Sequence, residues 1–175
     1  MNLPNFLSIS RVFLIIPTIV FFEYYLYSLS ILTFTFAAMT DYLDGYFARK
    51  NKLSSDLGAL LDLLADKIFV STLLIWMTFN FNDSFILISS ILIISREISI
   101  SYLRLFIVSK SKDIREVNPD FLGKFKTTFQ MLGLGFILIS PLMPDLTFNI
   151  GLFMLLSSAA ISWYSLIRYL NKWNV

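Results

Sequence analysis

The sequence predicts an all-α integral membrane protein with six transmembrane helices, and three observations lead to this fold class. The chain of 175 residues is 57% hydrophobic and only 15% charged, which is far from the composition of soluble domains. Hydrophobic runs long enough to cross a bilayer follow one another, with polar breaks between them. Lysine and arginine gather in alternate breaks, as they do in membrane proteins. Because no linker or internal repeat is visible, we expect one membrane domain over residues 1–175.

Six hydrophobic runs define the expected helices. They cover residues 6–26, 29–50, 55–80, 84–109, 122–141 and 146–170. Several exceed the ~20 residues that a span needs, so these helices tilt or extend into the cytosol. Pro141 and Pro144 separate the fifth helix from the sixth, because proline lacks the amide that a continuing helix requires. The one long polar connection lies near residues 110–121.

The basic residues predict the orientation of the helices. The second and fourth turns and the C-terminal end are basic, whereas the turns near 27, 82 and 143 contain neither lysine nor arginine. The basic residues concerned are Arg49, Lys50, Lys52, Lys110, Lys112, Arg115, Lys124, Lys126, Arg168 and Lys172. By the positive-inside rule, both termini lie in the cytosol, which gives an N-in, C-in protein with an even number of spans.

Two residue types are missing, and their absence limits the catalytic groups and metal ligands that the chain can supply. The chain has no cysteine and no histidine, so disulfides, thiolate catalysis, imidazole bases and His-ligated zinc are excluded. Any catalysis must therefore use carboxylates, amines, guanidinium groups, hydroxyls or metal ions. The net charge of +2 is small, and we expect no nucleic-acid partner.

Four aspartates lie within the second and third predicted helices, namely Asp41, Asp44, Asp62 and Asp66. A single carboxylate at membrane depth costs a few kcal/mol, so a compensating charge is needed. Spacings of three and four residues put each pair on one helix face. If the two helices are antiparallel about the turn near 51, Asp41 faces Asp62 and Gly58 lies opposite Asp44. We expect one carboxylate cluster about 10–15 Å below the cytosolic turn.

The aspartate cluster predicts a site for divalent metal ions. Oxygen ligands of this kind suit Mg²⁺, with Mn²⁺ as the alternative. Two divalent ions would balance four carboxylates and, at ~3.5–4 Å separation, could clamp a diphosphate. Gly45, Ala48 and Gly58 leave room for a ligand against the backbone. Close helix packing is the alternative role of these small residues.

The aspartates belong to a longer pattern, D-x2-D-G-x2-A-R-x8-G-x3-D-x3-D, which starts at Asp41 and ends at Asp66. This pattern resembles the signature of the CDP-alcohol phosphatidyltransferases and matches it at every specified position. The resemblance implies that family's class I fold, with six membrane helices and usually a homodimer. It also implies transfer of a phosphatidyl group from a CDP-linked lipid to an alcohol, with release of CMP.

The resemblance further implies roles for individual residues. Asp41, Asp44 and Asp62 would bind metal, while Asp66 would contact metal and act as the general base. The residues that would hold the cytidine diphosphate of the lipid are Asp41, Asp44, Gly45, Ala48, Arg49 and Gly58.

Basic residues in the fourth and fifth helices indicate the acceptor. Arg96 and Arg104 lie on roughly one side of the fourth helix, and Lys124 and Lys126 open the fifth. A cationic pocket beside the metal ions suits an acceptor that carries its own phosphate. The alternative is that these side chains only reach the membrane interface, as long basic side chains often do.

Further segments resemble the family members that form phosphatidylglycerophosphate. The segments are Asn2-Leu-Pro4-Asn5 with Arg11, Ala65-Asp66-Lys67, Arg96-Glu97 and Gly123-Lys124-x-Lys126-Thr127. This implies CDP-diacylglycerol as donor, sn-glycerol 3-phosphate as acceptor, and a bacterial inner-membrane enzyme whose active site faces the cytoplasm. One departure is Leu63, where many members have proline; it affects local helix geometry and no proposed ligand.

Three other functions stay open at this point. A cardiolipin synthase or a phosphatidylserine synthase of the same family would share the aspartates and differ in the acceptor. A membrane metal-ion transporter would also place aspartates inside the membrane. The apolar stretch 68–77 argues against a transporter, because it offers no polar path beyond the aspartates.

Overall fold

The computed structural model describes the backbone of residues 3–51, 56–111 and 121–173, and the side chains of residues 6, 8–40, 58, 60–103, 106 and 125–171. Within these ranges the chain forms six α-helices, one short 3₁₀ helix and no strand. The α-helices are α1 (Leu3–Glu23), α2 (Tyr27–Asn51), α3 (Asp56–Phe81), α4 (Ser84–Ser111), α5 (Phe121–Ile139) and α6 (Asp145–Trp173). The predicted all-helical fold is confirmed, and the predicted helix ends lie within a few residues of the observed ones.

The described residues include three segments that are long and apolar enough to cross a membrane. These segments are Ser84–Leu103, Phe125–Leu142 and Asp145–Asn171. They belong to α4, to α5 with the 3₁₀ helix, and to α6. The chain is therefore an integral membrane protein by helix length and composition, while the count of six spans and their orientation stay predictions.

Local residue chemistry explains two of the helix boundaries. Asn82 has a φ of 47°, a left-handed conformation that asparagine tolerates better than most residues. Asp83 then caps α4, because its Oδ1 accepts hydrogen bonds from the amides of Phe85 (2.8 Å) and Ile86 (3.0 Å). Between α5 and α6, Pro141 lies in the 3₁₀ helix Ser140–Leu142, so the α-helical ladder ends before it.

The helices pack around a core to which α3 contributes the largest share of the buried hydrophobic residues described. Helix α1 packs against α2 and α3, α4 packs against α3 and α6, and α5 packs against α2 and α6. Fully buried core side chains include Phe69, Leu73, Leu74 and Met77 of α3 and Leu134, Ile137 and Leu138 of α5.

The contact between α5 and α6 depends on two glycines. A Cβ added at Gly151 would lie 2.7 Å from Ile137 Cγ1 and 3.0 Å from the carbonyl oxygen of Gly133. A Cβ at Gly133 would in turn lie 3.1 Å from the Gly151 carbonyl oxygen. The two backbones thus approach too closely for larger residues, as small residues permit in membrane helix pairs.

Candidate active site

Helix α3 carries the described part of the aspartate cluster. Asp62 forms an ion pair with Arg11 of α1, with 3.4 Å between Arg11 Nη1 and Asp62 Oδ1. The Arg11 side chain is 0% exposed, and that of Asp62 is 44% exposed. A guanidinium group this deeply buried requires a compensating negative charge. Arg11 therefore connects α1 to Asp62, the third aspartate of the pattern.

A cavity of about 330 Å³ lies one helical turn further along α3, between α2, α3, α4 and α5. Its polar lining residues are Asp66, Lys67, Ser71, Glu97, Thr127, Thr128 and Gln130. Asp66, the predicted general base, thus shares one cavity with Lys67, with Glu97 of α4 and with hydroxyl side chains of α3 and α5. The volume is at the lower end of the range for small-molecule sites.

Glu97 of α4, which lines this cavity, forms ion pairs with three cations, and one of them, Lys67, also lines the cavity. Its Oε1 accepts a hydrogen bond from Arg96 Nη1 at 2.8 Å and another from Lys126 Nζ of α5. Its Oε2 lies 3.3 Å from Lys67 Nζ of α3. The side chains of Arg96 and Lys126 are only 6% and 9% exposed. Both are therefore largely removed from water, and the carboxylate supplies charge compensation.

The three cations differ in how their donors are used. Lys67 Nζ donates to the Glu97 carbonyl oxygen at 3.2 Å and to Ser101 Oγ, besides contacting the Glu97 carboxylate. All of these contacts are with α4. An ammonium group has three N–H donors. Glu97 is the only partner of Lys126 Nζ among the side chains described, which leaves two of its donors for other groups. Arg96 Nε donates to the Ser162 carbonyl oxygen of α6 at 3.0 Å.

The predicted acceptor residues are brought together in part. Arg96 and Lys126 both contact the carboxylate of Glu97, while their expected place beside the metal ions stays a prediction. Arg104 belongs to α4 and Lys124 to α5, but their side chains lie outside those described. The same holds for five residues of α2, which are Asp41, Asp44, Gly45, Ala48 and Arg49. The expected pairing of Asp41 with Asp62 therefore stays a prediction.

The sequence predicts no role for Glu97, Lys67 or Arg11, although all three lie in segments that resemble the family. One signal pointed to Glu97, because an acidic residue inside an apolar run is costly and needs a partner. The partners themselves could not be predicted, since they come from α3 and α5. Arg11 carries the same signal, because it is a charged residue inside the first predicted span, but its pairing with Asp62 depends on how α1 packs on α3.

The donor chemistry of the aspartates fits divalent metal ions. The chain has no histidine and no cysteine, so ligands from its side chains would be oxygen atoms, which Mg²⁺ and Mn²⁺ prefer. Asp62 and Asp66 lie four residues apart on α3, and Asp62 is partly open to solvent. Among the side chains described, no three acidic residues come close enough to hold a metal, but Asp41 and Asp44 are not among them.

An apolar groove of about 350 Å³ continues from the cavity between α2 and α5. Ala38, Met131 and Leu132 line both spaces. The rest of the groove is formed by Ile31, Phe34, Thr35, Gly135, Phe136 and Ile139. A polar cavity that continues into an apolar groove suits an amphiphilic ligand, with its charged part beside Asp66 and its apolar part along α5.

Comparison with known proteins assigns this arrangement to a class. Residues 1–167 match the family described as CDP-alcohol phosphatidyltransferase, and the chain belongs to that family. Three bacterial relatives carry the name CDP-diacylglycerol--glycerol-3-phosphate 3-phosphatidyltransferase. The protein of Haemophilus influenzae is 38% identical over 97% of this chain and 92% of its own length. That of Sodalis glossinidius is 34% identical over 97% and 93%, and that of Pseudomonas fluorescens 34% over 98% and 89%.

Proposed function

We propose that this protein transfers the phosphatidyl group of CDP-diacylglycerol to sn-glycerol 3-phosphate, giving phosphatidylglycerophosphate and CMP. Family membership and the names of the relatives support the reaction. The observation that carries the choice of acceptor is the cavity that Asp66, Lys67 and Glu97 line together, since Glu97 also forms ion pairs with Arg96 and Lys126. Cations close to the reacting carboxylate would be needed for a phosphorylated acceptor, whereas serine would not require them.

The proposed chemistry assigns roles to Asp66 and to the basic residues of α4 and α5. The primary hydroxyl oxygen of the acceptor forms a bond to the lipid-side phosphorus, and the phosphoanhydride bond to CMP breaks. Asp66 takes the hydroxyl proton, since it lines the cavity in which the acceptor would sit. Lys126 and Arg96, with Arg104 and Lys124, bind the acceptor phosphate and orient the hydroxyl.

We assign the donor headgroup to the aspartate pattern. Asp41, Asp44, Asp62 and Asp66 would hold two divalent ions, Mg²⁺ or Mn²⁺, whose charge would neutralise the diphosphate. Gly45, Ala48, Arg49 and Gly58 would line the site of the cytidine diphosphate. The apolar groove between α2 and α5 supports lateral access of the lipid, because an acyl chain could lie there while the headgroup reaches Asp66.

The cellular setting is proposed on the same grounds. Six spans with both termini in the cytosol would place the aspartates on the cytoplasmic side of a bacterial inner membrane. The enzyme would act as a homodimer of single-domain subunits covering residues 1–175, by analogy with its family.

An acceptor screen tests this function. Purified protein is given CDP-diacylglycerol and Mg²⁺ with glycerol 3-phosphate, phosphatidylglycerol or serine, and both CMP and the lipid product are measured by mass spectrometry. We expect phosphatidylglycerophosphate as the main product, and no CMP above background without acceptor. A dominant product from phosphatidylglycerol or serine would reassign the acceptor. Metal-dependent uptake into sealed liposomes without any CMP release would instead indicate a transporter.

A further inference from the structure

Glu97 is a carboxylate at the cavity wall whose contacts span several helices. It joins Lys67 of α3, Arg96 of its own helix and Lys126 of α5. Arg96 extends the connection to α6 through the Ser162 carbonyl oxygen at 3.0 Å. One side chain thus links the four helices α3, α4, α5 and α6, and it does so at the wall of the cavity that Asp66 lines.

The charges of this group have a simple balance. Three cations and one carboxylate leave a net charge of +2. A phosphate monoester carries about −1.5 to −2 at neutral pH, so the group matches the charge of such a ligand. Without the carboxylate, three cations of which two are almost fully buried would repel one another in a medium of low dielectric constant.

The contacts of Lys67 and Lys126 also give these two residues different roles. Lys67 Nζ donates two hydrogen bonds to α4 and lies 3.3 Å from Glu97 Oε2 of the same helix, so it fixes α3 to α4. Lys126 has one described contact, to Glu97 Oε1, which leaves two donors for a ligand. Glu97 therefore holds the Lys126 ammonium group through one N–H donor. The other two donors have no partner among the described residues.

We propose that Glu97 is a positioning residue for the acceptor: its carboxylate holds Lys126, and with it Arg96, where they bind the phosphate of glycerol 3-phosphate. This inference rests on the proposed function. Glu97 touches neither the reacting hydroxyl nor the diphosphate in this scheme, so its loss acts through the cations that it orients.

Steady-state kinetics of Glu97→Gln test the role. Glutamine has the same shape but no charge, and its amide nitrogen would face cations. With each substrate varied in turn, we expect the KM for glycerol 3-phosphate to rise about tenfold or more, as for a lost charge-assisted hydrogen bond. The KM for CDP-diacylglycerol should stay within about twofold, because the donor site is assigned to α2 and to Asp62 and Asp66 of α3. Glu97→Asp, which keeps the charge on a shorter side chain, should give an intermediate acceptor KM.

Glu23→Gln is the matched control. Glu23 also connects two helices, since it accepts hydrogen bonds from Trp76 Nε1 at 2.8 Å and Asn80 Nδ2 at 3.1 Å of α3. It does not line the cavity, so neither KM should change. Thermal unfolding and gel filtration report whether each variant is folded, and Glu97→Asp carries the test if Glu97→Gln does not fold.

The outcomes separate this inference from the proposed function. If the wild-type protein releases no CMP with glycerol 3-phosphate, the proposed function fails and this inference fails with it. If the wild type is active but the folded Glu97 variants keep the wild-type acceptor KM, only the positioning role fails. An equal rise of both KM values would also overturn it, because the carboxylate would then stabilise the whole fold. A lower acceptor KM in Glu97→Gln would overturn it as well, because the carboxylate would then only repel the phosphate.

Discussion

Replacing Lys126 by alanine should selectively weaken the binding of the acceptor. Its ammonium group has two N–H donors that no described residue uses, and a charge-assisted hydrogen bond to phosphate is worth ~1.5–3 kcal/mol. Lys126→Ala should therefore raise the KM for glycerol 3-phosphate roughly ten- to hundredfold. The KM for CDP-diacylglycerol should change by less than about twofold, because its headgroup is assigned to the aspartate pattern.

The stability cost of Lys126→Ala should be modest. Removing one partner of a buried ion pair costs ~3–5 kcal/mol when the other charge is left alone. Here Glu97 keeps Arg96 at 2.8 Å and Lys67 at 3.3 Å, so we expect a loss of about 1–2 kcal/mol, close to that of one hydrogen bond. Thermal unfolding of the purified protein measures this loss and shows whether the kinetic variant is folded.

Initial rates with one substrate varied at saturating levels of the other provide the assay. Lys126→Arg keeps the charge and should retain much of the acceptor affinity, whereas Arg168→Ala, at an exposed position on α6, should change neither KM. The proposed role of Lys126 is refuted if folded Lys126→Ala shows a wild-type acceptor KM, or if both KM values rise together. The cations of α4 and α5 would then serve only the packing of the helices.

Four further outcomes are expected. Asp66→Asn should lower turnover by ~10²–10⁴-fold while the protein stays folded, and wild-type rates of CMP release in this variant would exclude Asp66 as the base. Asp62→Asn should act through metal binding, so a Mg²⁺ titration should restore part of its activity; restoration of Asp66→Asn instead would mean reversed roles. Arg49→Ala should raise the KM for CDP-diacylglycerol before that for the acceptor. Gly151→Ala should lower the free energy of unfolding by ~1–3 kcal/mol, because its Cβ would meet Ile137 Cγ1 at 2.7 Å. Gly135→Ala should lower it less in the same unfolding measurement, because its Cβ would meet only the ring of Phe34 at 3.3 Å.

The helices could be predicted from the sequence because bilayer length and turn chemistry act locally. Runs of apolar residues set the extent of each helix, and the Asn82-Asp83 pair and Pro141 mark two of the ends. The prediction extended the fifth helix to residue 141, whereas α5 ends at Ile139 and a 3₁₀ helix follows. The proline ring disfavours a continuing α-helical turn before it, and this effect reaches back further than the residue itself.

The partners of the charged side chains could not be predicted in the same way. Spacing along α4 placed Arg96 on one helix face, but its contacts depend on α6, which supplies the Ser162 carbonyl oxygen. Lys126 could be assigned to the start of the fifth helix, yet its pairing with Glu97 requires the register of α5 against α4. Such contacts are set by tertiary packing between helices far apart in the chain, which periodicity within one helix does not contain.

The two ion pairs of α3 together determine which way this helix faces. Successive residues of an α-helix are about 100° apart around its axis, so Asp62 and Lys67 point in directions about 140° apart. Asp62 is held by Arg11 of α1 and Lys67 by Glu97 of α4, and these opposite pairs resist rotation of α3 in either sense. Asp66 lies between them, about 40° from Asp62, on the side where the cavity opens. Arg11 and Glu97 thus keep Asp66 directed at the cavity from two sides, although neither is part of the aspartate pattern.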